Sequence, residues 1–296
     1  MTIKEVMDKT TTFFKQKGFH SPRLDTELLM AHGLSCGRMQ LYLKFDQPLK
    51  ELELDILREL VRRRSAGEPI AYITGKKDFY KASFIVNNSV LIPRPETESL
   101  VELAANFIER KKTEAKFQVL DIGGGSGCIG ISLAKEYSDI HVSIIEKSKL
   151  ASDVIRENIK LNQVNNVTLF NLDAGDINEF AHVWKNEFSQ EENEPSFDLI
   201  VSNPPYIAFE DSLIEPNVKK FEPAEALFAE DNGYVFLKDW AQAYSKFLKV
   251  DSEMIFEMGQ SQGPQILEHL SDLNIFQSVT IKKDLAARDR FILMVK

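Results

Sequence analysis

Three features of the 296-residue sequence predict an α/β fold: a Rossmann-like domain with a mostly parallel seven-stranded sheet, preceded by a small helical bundle and a β-hairpin linker. Short amphipathic helical patterns fill the chain to about residue 68. Short β-rich runs follow between residues 69 and 92, and strands then alternate with helical stretches to the end. The expected domains are therefore 1–68, 69–92 and 93–296.

The elements follow in order. Ile3, Val6, Met7 and Phe14 form a helical stripe that stops at Gly18. Ser21-Pro22 reads as a helix start, with proline at the first helical position, for a second helix running to about Gly33. A third segment surrounds Met39 to Phe45. A fourth begins near Pro48, with Leu49, Leu52, Ile56 and Leu60 as its apolar stripe and Arg62-Arg63-Arg64 before Gly67. Ala71 to Thr74, Asp78 to Tyr80 and Phe84 to Val86 read as short strands of the linker. The expected strands of the sheet are Gln118–Ile122, His141–Ile145, Val167–Phe170, Phe197–Ser202, Met254–Met258, Ser278–Ile281 and Phe291–Val295. Gln190 to Pro195, acidic and of low complexity, is expected to be a solvated loop.

Composition narrows the function. The chain is 43% hydrophobic and 27% charged, ordinary for a globular protein, and 36 Lys plus Arg stand against 45 Asp plus Glu, a net charge of -9. This opposes a nonspecific nucleic-acid coat, and no direct DNA binding is expected. No apolar window reaches the ~20 residues of a membrane span, so the expectation is a soluble, cytoplasmic protein without a membrane anchor, and a monomer is expected. Cys36 and Cys128 lack metal-ligand spacing, as do the five scattered histidines, so no metal is expected; both thiols are expected reduced, with Cys128 buried. Residues 1–85 carry 15 basic and 11 acidic side chains, net +4, while the remainder, 21 against 34, is net -13. The asymmetry suggests two functional halves.

Val119-Leu-Asp-Ile-Gly-Gly-Gly-Ser-Gly127 runs from a strand into a glycine-rich turn and a helix. Gly123, Gly124, Gly125, Ser126 and Gly127 let backbone approach a nucleotide-like ligand at a helix N-terminus, as in NAD enzymes, although such turns also have purely structural uses. Glu146 ends the next strand, where a carboxylate accepts both hydroxyls of a ribose; NAD and S-adenosylmethionine both present one. Asp173 and Ala174 follow the third strand, at the edge expected for an adenine amino group. Phe197 to Tyr206 then ends a buried strand in Asn203-Pro204-Pro205-Tyr206. The two prolines remove two N–H donors, leaving the Asn203 side-chain oxygen and the Pro204 carbonyl as acceptors for a planar NH2 group on which Tyr206 can stack. Arg94 and Thr97 lie in a loop before an apolar helix, where Thr97 is either a helix cap or, with Arg94, part of a lid over a cofactor.

The Asn-Pro-Pro-Tyr turn beside the glycine loop resembles amino methyltransferases that use S-adenosylmethionine. More closely, the chain resembles the release factor glutamine methyltransferase (PrmC/HemK) family over nearly its whole length. The most specific matches are Arg63-Arg-Ser-Ala-Gly-Glu-Pro-Ile-Ala-Tyr-Ile-Thr-Gly75 and Leu91-Ile-Pro-Arg-Pro-Glu-Thr-Glu98, joined by Glu222-Pro-Ala-Glu-Ala-Leu227 and Phe256-Glu-Met-Gly-Gln260. The resemblance implies a methyl group transferred from S-adenosylmethionine, leaving S-adenosylhomocysteine. The acceptor it implies is the side-chain amide nitrogen (N5) of the Gly-Gly-Gln glutamine of class I peptide chain release factors, a modification that modulates translation termination. It assigns catalysis to Asn203, Pro204, Pro205 and Tyr206, cofactor binding to residues 123–127, Glu146, Asp173, Ala174, Asn203, Arg94 and Thr97, and partner recognition to the helical domain. The chain departs from the family pattern at Gly124, usually Thr, at Glu146, usually Asp, at Ala174, often larger, and at Ala286-Ala287, where a glycine is expected near Arg290. An adenine-N6 or RNA methyltransferase would use the same turn but needs a basic surface. A noncatalytic cofactor-binding protein is a second alternative, and an oxidoreductase leaves Asn-Pro-Pro-Tyr unexplained.

Overall fold

The computed structural model describes residues 1–111, 117–189 and 194–296, so residues 190–193 of the expected acidic loop lie outside the described residues. Two compact units emerge: Met1–Lys76 with Glu215–Phe221, and Lys77–Ile214 with Glu222–Lys296. The hairpin thus falls in the second unit, and a short segment from far along the chain joins the first.

In the first unit, α1 (Ile3–Gln16) starts with a reciprocal cap, in which the Glu5 N–H donates to Thr2 Oγ1 and the Thr2 N–H to the Glu5 carboxylate. α2 (Pro22–Gly33) opens on Pro22, as its sequence requires, and α3 (Arg38–Leu43) and α4 (Glu51–Ser65) follow. Ile3, Met7, Phe14, Leu29, Leu41, Leu57 and Leu60 fill the core. The face of α4 differs from the expected stripe: Leu57 and Leu60 point inward, while Leu52 and Ile56 are 73% and 41% exposed. Ala71 to Thr74, expected as a strand, belongs to a one-turn helix, α5 (Ile70–Thr74). Pro69 sets its start and Gly75, left-handed at φ +71°, its end; these caps override the β preference of Ile and Thr. The basic run is neutralised within the unit. Arg62 pairs with Glu59, Arg63 with Glu68, and Arg64 donates to Asp25 at 2.8 Å while lying 4.3 Å from the Phe19 ring centroid.

After Lys76 the second unit opens with the rest of β1 (Lys76–Phe79) and with β2 (Ala82–Ile85), turning at Tyr80 in the left-handed region, and continues into α6 (Pro95–Lys111). Then come β3 (Phe117–Ile122), α7 (Cys128–Glu136), β4 (Ile140–Ile145), α8 (Lys149–Asn162), β5 (Val167–Phe170), α9 (Ile177–Phe188) and β6 (Phe197–Ser202). The short strands β7 (Ile207–Ala208) and β8 (Phe228–Ala229) pair with each other; between them in sequence lies α10 (Pro216–Phe221), the segment that joins the first unit. The chain ends through α11 (Glu230–Gly233), α12 (Val235–Tyr244), β9 (Leu248–Glu257), α13 (Gly263–Asp272), β10 (Ser278–Lys283) and β11 (Asp289–Val295). β9 starts six residues earlier than its apolar run, because its first half carries polar Lys249 and Asp251 to Glu253.

The sheet order is β10-β11-β9-β6-β3-β4-β5, with β11 antiparallel to both neighbours and the remaining pairs parallel. Strand alternation divides the apolar side chains between two faces. Val119, Leu199, Val201, Ile255 and Leu293 pack with α6 and α7, whereas Leu120, Ile200, Phe256 and Ile292 pack with α9, α12 and α13. Both faces are covered, so the strands read as continuous apolar runs. From central β3 the chain winds outward through β4 and β5, then crosses to β6 on the other side. The carboxyl ends at this reversal form the crevice where open α/β sheets bind ligands. Among the described residues no helix is long and apolar enough to cross a membrane.

Candidate active site

At that crevice lies a cavity of about 220 Å³. Its floor is the turn after β3. Gly123, Gly125 and Gly127 all have positive φ, at 73°, 57° and 77°, and the N–H groups of Gly123 and Gly124 both donate to the Ile145 carbonyl at 2.9 Å. Around Gly125, nothing lies within 4 Å of the place a Cβ would take, so the backbone there is open to a ligand. Gly124 is packed instead: a Cβ would stand 2.4 Å from Ile144 Cγ2. The usual threonine of the family therefore has no room here. Beneath the turn, Asp121 is fully buried and accepts the Gly130 N–H at 2.9 Å. Burial pushes its carboxyl up to about 7, against the lowering effect of that bond.

Glu146 lines the cavity with its carboxylate already engaged, Oε2 accepting the Gly125 N–H at 2.8 Å and Oε1 the Ser148 N–H at 2.7 Å. Each oxygen keeps a further lone pair for a ligand hydroxyl. Burial raises its pKa above the ordinary carboxylate range, and the two backbone bonds only partly counter this. Asp173 and Ala174 also line the cavity; Asp173 pairs with Lys147 at 2.7 Å, which holds its carboxyl below the usual range.

Asn203 and Pro205 line the opposite wall, while Pro204, Tyr206 and Gly127 do not reach it. Asn203 Nδ2 donates to Thr97 Oγ1 at 3.2 Å, and Thr97 Oγ1 donates to Glu257 Oε2 at 2.7 Å. Thr97 is thus no helix cap. The Tyr206 hydroxyl donates to the other Glu257 oxygen at 3.1 Å, and the Tyr206 carbonyl accepts from Gln262 Nε2 at 3.0 Å. Among the described residues no group donates to Asn203 Oδ1 or to the Pro204 carbonyl. Arg94, over the cavity, pairs with buried Glu222 at 2.6 Å, and Glu222 also accepts the Ile92 N–H at 3.1 Å.

Comparison with known proteins decides the family. The chain is 35% identical to a release factor glutamine methyltransferase of Rhodopirellula baltica over 100% of this chain and 96% of the relative. Proteins of the same description from Leptospira interrogans and Vibrio cholerae are each 34% identical, covering 98% and 96% of their own lengths. The chain belongs to the release factor glutamine methyltransferase family. Family models agree, the PrmC N-terminal domain matching residues 5–75 and the methyltransferase small domain residues 101–220. The fold is shared more widely: the hMettl16 catalytic domain, 13% identical, aligns over 73% of this chain and 75% of its own with a TM-score of 0.52.

Some lining residues of this methyltransferase carried no recognised signal. Phe236 and Trp240, one helical turn apart on α12, have ring centroids 4.9 Å apart and form an aromatic wall, with Trp240 Cη2 3.2 Å from the Cβ position of Gly123. They supply the apolar surface that Ala174 lacks, and their i, i+4 spacing was the available clue. Glu222 and Glu257 were visible only as letters of family motifs, without a role.

Proposed function

We propose that this methyltransferase transfers a methyl group from S-adenosylmethionine to the side-chain amide nitrogen of the glutamine in the Gly-Gly-Gln motif of peptide chain release factors in the cytoplasm. The observation that carries the reading is Asn203: its NH2 is committed to Thr97, so its unpartnered Oδ1 is left to accept an amide N–H.

The cavity suits the cofactor. Its open glycine backbone, the spare lone pairs of Glu146 and the Phe236–Trp240 wall fit a nucleoside, with Gly123 to Ser126, Asp173, Ala174, Arg94 and Thr97 around it. When bound, S-adenosylmethionine supplies an electrophilic methyl group on a sulfonium. The difficulty lies with the acceptor, because an amide lone pair is delocalised and weakly nucleophilic. Asn203 Oδ1 and the Pro204 carbonyl would accept one N–H each, fixing the nitrogen in direction and favouring the pyramidal geometry of the transition state. Pro204 and Pro205 carry no N–H to compete as donors.

The helical unit is the module proposed to recognise the folded partner. Its arginine run is satisfied internally, so that recognition would rest on other surface. The net charge of -13 over residues 86–296 favours a protein over a polyanion. Incubating candidate release factors with enzyme and cofactor, followed by mass spectrometry, tests the assignment: one added methyl on the Gly-Gly-Gln glutamine is expected, and no transfer refutes it. Asn203→Ala should lower turnover ~10²–10³-fold with cofactor affinity retained. Near-wild-type kcat would remove Asn203 from the reaction.

A further inference from the structure

Glu257 stands behind the cavity and Thr97 between it and Asn203, both 1% exposed, bonded in series to the one side chain whose orientation matters. A threonine hydroxyl has a single hydrogen, and an ionised carboxylate can only accept. At 2.7 Å from Glu257 Oε2 that hydrogen must go to the carboxylate, since the reverse would set two oxygen lone pairs against each other at a buried charge. Thr97 therefore meets Asn203 as an acceptor, and only the NH2 end of the carboxamide satisfies it. We infer that Glu257, through Thr97, is a positioning residue that fixes the Asn203 carboxamide with Oδ1 toward the substrate nitrogen. Without this relay the carboxamide can turn over and present its NH2 to the substrate NH2, donor against donor.

The second oxygen of Glu257 takes the Tyr206 hydroxyl, so the same carboxylate holds both ends of the Asn-Pro-Pro-Tyr turn. The groups facing it are Thr97 and Glu96 from α6, Tyr206 from the turn after β6, Arg290 from β11 and Cys128 from α7. Burial raises its carboxyl to about 7 despite the Thr97 and Tyr206 bonds and the Arg290 charge. Protonation would add a hydrogen to the relay and release its polarity, so activity should rise as pH rises through that value.

The inference rests on the reading of Asn203 as the acceptor of the substrate's amide hydrogens, and the experiment separates the two. In full-length enzyme with intact release factor, Thr97→Val should lower kcat tenfold or more, with the KM for release factor within threefold of wild type. Thr97→Ser, which keeps the hydroxyl, should return kcat to within threefold. Should the valine variant not fold, Glu257→Gln serves instead: its amide oxygen can still accept from Thr97 but the group no longer titrates, so its kcat should stay flat across pH 6–8.5 while that of the wild type rises. Wild-type kcat in Thr97→Val, equal losses in the Ser and Val variants, or an unchanged pH profile in Glu257→Gln overturns the relay. If Asn203→Ala is inactive while Thr97→Val is fully active, the relay alone fails; if Asn203→Ala is active, the underlying reading fails.

Discussion

Replacing Glu146 by glutamine should separate its observed role, closing the glycine turn, from its proposed one, holding a cofactor ribose. The carboxylate accepts the Gly125 and Ser148 N–H groups through different oxygens. Glutamine keeps one such bond, at neutral strength, and turns an NH2 toward the other N–H. Charge-assisted bonds are worth about 1.5–3 kcal/mol each and neutral ones about 0.5–1.5 kcal/mol, so where Glu146 is ionised the turn's bonds alone lose about 2.5–4.5 kcal/mol. Against this stands the burial of the charge, which raises the folded-state pKa of Glu146. A raised carboxyl pKa means that the folded protein holds more protons than the unfolded chain between the two values. Stability from this group is then full at low pH and falls as pH rises through that window. Glutamine has no such slope, so its deficit relative to wild type should shrink from pH 5 to pH 8. The ribose is affected at every pH at which Glu146 is ionised. Two hydroxyl bonds falling from charged to neutral strength cost about 2–3 kcal/mol, or about 30–150-fold in Kd. Calorimetric titration with S-adenosylhomocysteine at pH 8, with urea melts at pH 5 and 8, gives both quantities. An unchanged Kd would make Glu146 a strut of the turn only, and a stability deficit that widens with pH would refute the burial argument.

Two other substitutions are expected to report on the chain's departures from its family. Ala287 sits exposed at φ +60° where the family pattern expects glycine, held by its N–H to the Asp284 carbonyl and by Asp284 Oδ1 accepting from Ala286 and Arg288. Ala287→Gly should relieve about 1–2 kcal/mol of left-handed strain against about 0.5–1 kcal/mol of added chain entropy, raising stability in urea slightly with activity unchanged; a loss of 0.5 kcal/mol or more would refute it. Gly124→Ala should cost about 1–3 kcal/mol through its clash with Ile144, but much less in an Ile144→Ala background, where the new methyl enters the vacated space. A double-mutant cycle that is additive within about 0.5 kcal/mol would show that the two side chains do not compete.

What could be read before the structure follows from how local each signal is. Alternation and flanking turns place β3, β4, β5 and β6 to within a residue, because buried parallel strands are short, apolar and sharply bounded. The glycine turn and Asn-Pro-Pro-Tyr are legible for the same reason, since their chemistry is written in consecutive residues. Ala71 to Thr74 misleads because two caps outvote four side chains, and the inward face of α4 shifts because Leu57 rather than Ile56 meets the core. Glu257 and Trp240 lie beyond reach for another reason. Each acts on a residue more than 100 positions away, Thr97 or Gly123, and no periodicity within a single segment records such a meeting.

That distance also explains why two of the family motifs, Leu91 to Glu98 and Phe256 to Gln260, act on the reacting turn from outside it. Leu91 to Glu98 delivers Arg94 and the Ile92 N–H to Glu222, and Thr97 to Glu257 and Asn203. Phe256 to Gln260 supplies Glu257 itself, and Gln262 just beyond it holds the Tyr206 carbonyl. These runs are the partners of the turn, joined by bonds that only specific polar groups at specific depths can make. The stability balance of Glu257 is unfavourable at neutral pH and above. Raising a buried carboxyl from 4.5 to about 7, as at Glu257, corresponds to a cost on the order of 3 kcal/mol once the group is ionised, a net cost that already includes the Thr97 and Tyr206 bonds and the Arg290 charge. An apolar residue there would pack without that cost, but it could not dictate which end of the Asn203 carboxamide faces the cavity. On the relay proposed above, a buried acid at this position serves orientation rather than stability.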